Sequence, residues 1–177
     1  GKILKGPDGK YHLFASRWEQ SRGHNGWWHS KATESVSDNL TGPYVDQGLC
    51  WPDNEGGKGH NVTALQLPDG RYAVVISETR PGTVFVSKSI DGPWKELGKI
   101  TVIGDPKWHA SNEIILLRPD GRFEMFGRLG VVMISTNGVL GPYVAQGPGI
   151  YSNIAGLPKH SLNHFEDPTL WFSGGRY

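Results

Sequence analysis

The stretch PDGRYAVVIS at residues 68–77 decides the fold, because it does not occur alone. It appears earlier as PDGKYHLFAS (7–16), later as PDGRFEMFG (119–127), and in shortened form as SGGRY (173–177). The turn glycines at 9, 70, 121 and 175 are 61, 51 and 54 residues apart. A second phrase keeps step with the first: LTGPYVDQG (40–48), IDGPWKELG (90–98) and VLGPYVAQG (139–147). Its Gly-Pro pairs begin at 42, 92 and 141, at spacings of 50 and 49. Two independent markers with one period of about 50 residues identify an array of repeated supersecondary units.

Each unit contains four short strands. From residue 61, NVTALQL runs into the turn Pro68-Asp69-Gly70, which has hairpin chemistry, and RYAVVISE returns. A loop carrying Pro81-Gly82 follows, VFVSKS goes out again, and WKELG ends the unit. Alternation and β-branched runs favour strands, and no segment sustains a helical period. Four antiparallel strands repeated radially make a β-propeller. The fold class is therefore all-β, with blade units at about 1–50, 58–100 and 109–150 and the start of another at 164–177. A closed ring needs at least about four blades. The expectation is about three and a half blades of a five-bladed ring, with the remaining blades in sequence beyond these residues or on another chain.

Composition agrees. The chain has 177 residues, enough for one sizeable core, with 25 Gly, 12 Pro and 7 Trp. The formal net charge of +1 gives no basic field for nucleic acid. The single cysteine, Cys50, excludes an internal disulfide. No apolar run has the length of a membrane span and no signal peptide opens the chain at Gly1, so no membrane partner is expected. A secreted or periplasmic location is expected.

In such a blade the innermost strand starts on the same face as the loop between the second and third strands. Counting nine residues back from each turn glycine gives Asn61, Asn112 and Glu166, with Asp167 next. Histidines cluster nearby: His60 in GHN, His109 in WHASNE and His164 in NHFED. Either these groups close the channel as a hydrogen-bonded plug, or they line an axial pocket; their register with the repeat favours the pocket. Their spacing is not that of a short metal-ligand motif, so no cofactor is expected, a structural cation on the propeller axis being the alternative.

The rim of that pocket would come from SRWEQSRGHNGWW (16–28), with Arg17, Trp18, Glu19, Arg22, His24, Trp27 and Trp28, and from Glu78, Arg80 and Arg128. Aromatics with polar neighbours suit sugar rings, and arginines at matching places suit an anionic substituent such as a uronate or sulfate. The alternative is that the arginines form surface ion pairs and the tryptophans pack between blades.

With PDG[KR][YF] alternating with GP[YW], and GHN (59–61) and FEDPTLW (165–171) opening inner strands, the chain resembles the five-bladed propeller glycoside hydrolases of family 43 and the related family 117. The resemblance implies a sugar-binding funnel with carboxylates from different blades. It places a base on the innermost strand of the first blade, before residue 1 unless His60-Asn61 takes that place. Asn61 and Asn112 stand where carboxylates would help chemistry. Glu166, Asp167, Glu78 and His60 are then the catalytic candidates. Asn61, His109, Asn112, His164, Arg17, Trp18, Arg80 and Arg128 are the substrate-binding ones. The reaction expected is hydrolysis of a poly- or oligosaccharide. The rivals are a non-catalytic carbohydrate-binding propeller and a polysaccharide lyase in which a His takes a proton beside an Arg-paired uronate.

Overall fold

The structure, a computed structural model, describes residues 1–104, 108, 110–128, 130–149 and 167–176. Strands β1 (Lys2–Lys5), β2 (Tyr11–Arg17), β3 (Lys31–Ser37) and β4 (Val45–Leu49) form an antiparallel sheet in that order. The meander repeats in β5 (His60–Gln66), β6 (Tyr72–Glu78), β7 (Thr83–Ser87) and β8 (Lys95–Lys99). After β9 (Val102–Ile103) it repeats again in β10 (Ile114–Leu117), β11 (Phe123–Phe126), β12 (Val132–Ser135) and β13 (Tyr143–Ala145). Four-stranded antiparallel meanders of this kind are what a propeller repeats.

The third sheet departs from four strands. β9, leaving the second sheet, adds parallel to β13 at the outer edge of the third. The Thr101 carbonyl accepts from Tyr143 N–H at 2.8 Å, and Thr101 N–H donates to the Leu140 carbonyl at 3.0 Å. This covers an edge that would otherwise present unpaired backbone groups.

The repeated phrases have local physical causes. In each Pro-Asp-Gly turn the Asp Oδ1 accepts the backbone N–H two residues on, at 3.1 Å, from Lys10, Arg71 and Arg122. Gly70 and Gly121 supply left-handed backbone at φ 84° and 83°, where a β-carbon is disfavoured. The three Gly-Pro bonds, at 42–43, 92–93 and 141–142, are all cis. They occupy equivalent places between the third and fourth strands of successive sheets.

Strands β6 and β7 of the second sheet are buried on both faces. Ala73, Val75, Val84 and Val86 pack with Ile115, Phe123, Met125 and Tyr143 of the third sheet. Tyr72, Val74, Ile76 and Phe85 pack with Phe14 and Ala32 of the first. The two-residue side-chain period thus divides YAVVIS between two cores. The inter-sheet aromatics are Trp51, stacked on Phe85 at 4.0 Å, and Trp94, edge-on to Phe14 at 5.6 Å. Trp18, Trp27 and Trp28 stand outside both cores.

Candidate functional site

Three residues share an unusual backbone. Asn61, Asn112 and Asp167 have φ of 46°, 52° and 51°. Few side chains accept this left-handed region; Asn and Asp are the most tolerant, because their short polar groups bond locally. Each lies six residues before the residue that opens its hairpin turn: Leu67, Arg118 and Ser173. Those three residues close the turns by backbone hydrogen bonds. The turn after Ser173 contains only Gly174 and Gly175, one residue fewer than Pro68-Asp69-Gly70. The register is therefore offset by one from a count made at the glycine, and Asp167, not Glu166, is the equivalent of the two asparagines. Strained non-glycine backbone that recurs in register is held by surrounding structure and concentrates at functional sites.

These positions line a shared pocket of about 590 Å³. The start of β5 contributes His60 and Asn61, the end of β6 contributes Glu78, and the approach to β10 contributes Ser111 and Asn112. The segment between β2 and β3 adds Trp18, His24 and Trp27, and Arg128 and Asp167 complete the wall. Asn61 Nδ2 donates to Asn112 Oδ1, joining two sheets at the pocket. Asn112 N–H donates to Ser77 Oγ at 2.7 Å, and Ser111 Oγ donates to Glu78 Oε1.

His60 is oriented by its neighbours. The Ser30 hydroxyl donates to the Trp27 carbonyl at 2.6 Å, so toward His60 Nδ1, 2.7 Å away, it accepts. Nδ1 therefore carries the hydrogen, and in the neutral ring Nε2 keeps the lone pair. Burial pushes the His60 pKa below 6.5, against the opposite pull of the Glu78 and Asp167 carboxylates. Near neutral pH the ring is uncharged and available as a proton acceptor. Trp27 lies 5.0 Å from it and Trp18 5.8 Å, ring centre to ring centre.

Glu113, which sequence reasoning missed, adjoins this pocket. It lines a smaller recess of about 190 Å³ that shares Asn61, Asn112 and Asp167 with the main one. The residue is 5% exposed, and both carboxylate oxygens are buried without a hydrogen-bond partner among the described residues. Burial, with repulsion from Glu78, raises its pKa to about 8, so it holds a proton at neutral pH. A signal was present: the same register position is Val62 in the second sheet and Pro168 after Asp167, so an acid there breaks the pattern. Ser30 and Ser111, which orient His60 and Glu78, carried no signal in the sequence.

Of the residues singled out from sequence, the pocket brings together Trp18, His24, Trp27, His60, Asn61, Glu78, Asn112, Arg128 and Asp167. His109, His164 and Glu166 lie outside the described residues. Two of the arginines expected to bind substrate, Arg17 and Arg80, are engaged by carboxylates. Arg17 bonds Asp46, and Arg80, with a side chain only 10% exposed, reaches Glu55 at 3.2 Å, Glu96 at 2.6 Å and Asn54 at 2.7 Å. For Arg80 the ion-pair alternative is the one realised, with the guanidinium also 5.0 Å over the Phe85 ring.

No family model and no curated protein matches the chain. Solved structures do resemble it. An α-L-arabinofuranosidase from Clostridium thermocellum matches over 82% of this chain and 53% of its own, with TM-score 0.56 and 14% identity. A family 43 β-1,3-galactosidase solved with galactodeoxynojirimycin matches over 99% of this chain and 70% of its own, with TM-score 0.57 and 14% identity. A family 117 glycoside hydrolase from the marine bacterium Zobellia galactanivorans matches over 82% and 46%, with TM-score 0.51 and 14% identity. The chain spans about half the length of the arabinofuranosidase, and identities this low are a likeness of fold.

Proposed function

We propose that this chain is part of a five-bladed β-propeller glycoside hydrolase whose central pocket cleaves a poly- or oligosaccharide. The carrying observation is the convergence of Asn61, Asn112 and Asp167, alike in backbone and register, beside His60 and Glu78. The likeness to glycoside hydrolases supports the fold part of this reading.

Glycoside hydrolysis needs one group that takes a proton from water and another that gives one to the leaving oxygen. Asp167 and Glu78 supply the two carboxyl groups, and the neutral His60 ring is a further acceptor facing the same space. A carboxyl separation of about 6.5–9.5 Å in a substrate complex would denote inversion, and about 5 Å retention. The Trp18 and Trp27 faces provide apolar ground for a sugar ring, and the two amides bond its hydroxyls. Glu166 remains a candidate from the sequence.

The test is a screen of the full-length protein against oligosaccharides, scoring binding and product release separately. Asp167→Asn and Glu78→Gln should each lower turnover at least about 100-fold while binding persists. Turnover untouched by both changes would remove these residues from the chemistry. The Asn61–Asn112 hydrogen bond favours a second reading, since amides bind sugars and do not act as bases: a carbohydrate-binding propeller without turnover. Binding with no product on any glycan would select it.

A further inference from the structure

Beside the central pocket lies a wider groove of about 820 Å³, and Trp18 borders both. An aromatic path links them. The His60 ring is followed by Trp27 at 5.0 Å, and Trp27 stacks on Trp28 at 3.8 Å with the planes 25° apart. Trp28 lines the groove and is 60% exposed, so a large apolar face is presented to solvent with its other side already supported.

The groove's charges do not cancel. Its carboxylates are engaged, Glu19 with Arg22 at 3.2 Å and Glu55 with Arg80 at 3.2 Å, and Arg17 is bonded to Asp46. Lys31 and Lys58 remain, with no ion pair among the described residues. They face each other across an isolated antiparallel bridge between the start of β3 and the chain entering β5. Like charges directly opposite in an antiparallel pair are destabilising, so this arrangement has no rationale in stability. The chain as a whole carries only +1, so the excess is local rather than a general polyanion surface.

We propose that this groove binds an anionic substituent, carboxylate or sulfate, on the glycan that enters the central pocket. Lys31 and Lys58 hold the anion, and Trp28 stacks on the sugar that bears it. This deepens the glycoside reading and rests on it for the nature of the ligand. It also moves the anion-binding role from Arg80, which is occupied in ion pairs, to two lysines that the sequence did not single out.

The experiment is calorimetric binding of the full-length protein to three sets of oligosaccharides: uronate-containing, sulfated, and neutral. Wild type should prefer an anionic oligomer over its neutral counterpart by about ten-fold at low salt, and lose that preference as salt screens the lysines. The double variant Lys31→Gln/Lys58→Gln should abolish the preference and leave neutral affinity unchanged. Trp28→Ala should weaken both classes. The uronate and sulfate arms distinguish the two sources of charge. A preference that survives in the double variant, no anionic preference in wild type, or no glycan binding at all would overturn the proposal. A thermal melt matching wild type excludes misfolding of the variants. Binding is read without turnover, so a lysine-dependent preference in an inactive protein keeps this inference and rejects hydrolysis. Cleavage of neutral glycans indifferent to salt and to both lysines does the reverse.

Discussion

His60, at the head of β5, and Glu78, at the end of β6, are cross-strand partners, and Ser111 from the approach to β10 donates to that same glutamate. One imidazole, one carboxylate and one hydroxyl from two sheets thus line the same pocket of about 590 Å³. The arrangement predicts how the ring titrates.

Burial lowers the His60 pKa, while Glu78 and Asp167 raise it. Removing either carboxylate charge therefore leaves the depressing effect less opposed. In Glu78→Gln or Asp167→Asn the His60 midpoint, followed by NMR, should fall below its wild-type value. A midpoint that rises or stays put would mean that these carboxylates do not face the ring.

At the opposite, turn-bearing end of the first two sheets, buried His12 of β2 bonds Glu34 of β3 through Nδ1 at 2.6 Å. Asp91 of the second sheet's turn lies 3.4 Å from the same nitrogen, and Asp8 lies 3.3 Å from Nε2. Burial opposes protonation of His12, but the bonds to Glu34 and Asp8 outweigh it and hold the pKa above 6.5. A histidine raised in the folded state binds more protons there than in the unfolded chain. Its contribution is complete below pH 6.5 and is lost as pH climbs through the folded value. Burial also raises Glu34, which has the same sign at lower pH. Urea midpoints should fall from pH 6 toward alkaline conditions. His12→Leu should remove much of that slope and cost about 3 kcal/mol by leaving Glu34 buried without its partner.

Glu113 predicts a second pH effect, from a group that has no ion pair among the described residues. Its carboxyl ionises near 4.5 when unfolded and at about 8 when folded. Folding therefore becomes less favourable as pH rises across that interval. Glu113→Gln keeps the shape and removes the titration. The variant should be more stable than wild type at pH 8, with a smaller decline from pH 5 to 8 in thermal melts. Equal slopes would show that the carboxyl finds a cation or water when charged.

Gly26 sets the position of Trp18. A β-carbon there would meet Trp18 Cδ1 at 2.5 Å and Arg22 Cβ at 2.6 Å, and the Trp18 indole N–H is tied to the Gly23 carbonyl at 2.9 Å. Gly26→Ala should cost about 1–3 kcal/mol, as overpacking does, and shift Trp18 between the two pockets. Weaker glycan binding with the sheets intact, seen together in calorimetry and far-ultraviolet circular dichroism, is the expected result.

The sequence by itself determined the repeated unit and much of the site's membership. Pro-Asp-Gly turns and Gly-Pro corners act through bonds two or three residues long, so their chemistry is legible wherever the period brings it back. His60, Asn61, Asn112 and Asp167 were visible for the same reason, as polar residues in step with those turns. Only the tertiary structure decided what depended on distant partners. The shorter turn at Gly174-Gly175 moved the register from Glu166 to Asp167, which a count along the chain cannot sense. Arg80 met Glu55 and Glu96, His12 met Glu34 and Asp91, and Lys31 came opposite Lys58. Glu113 was buried by the packing of its neighbours. A charge acquires its role from what surrounds it after folding, and those surroundings lie tens of residues away in the chain.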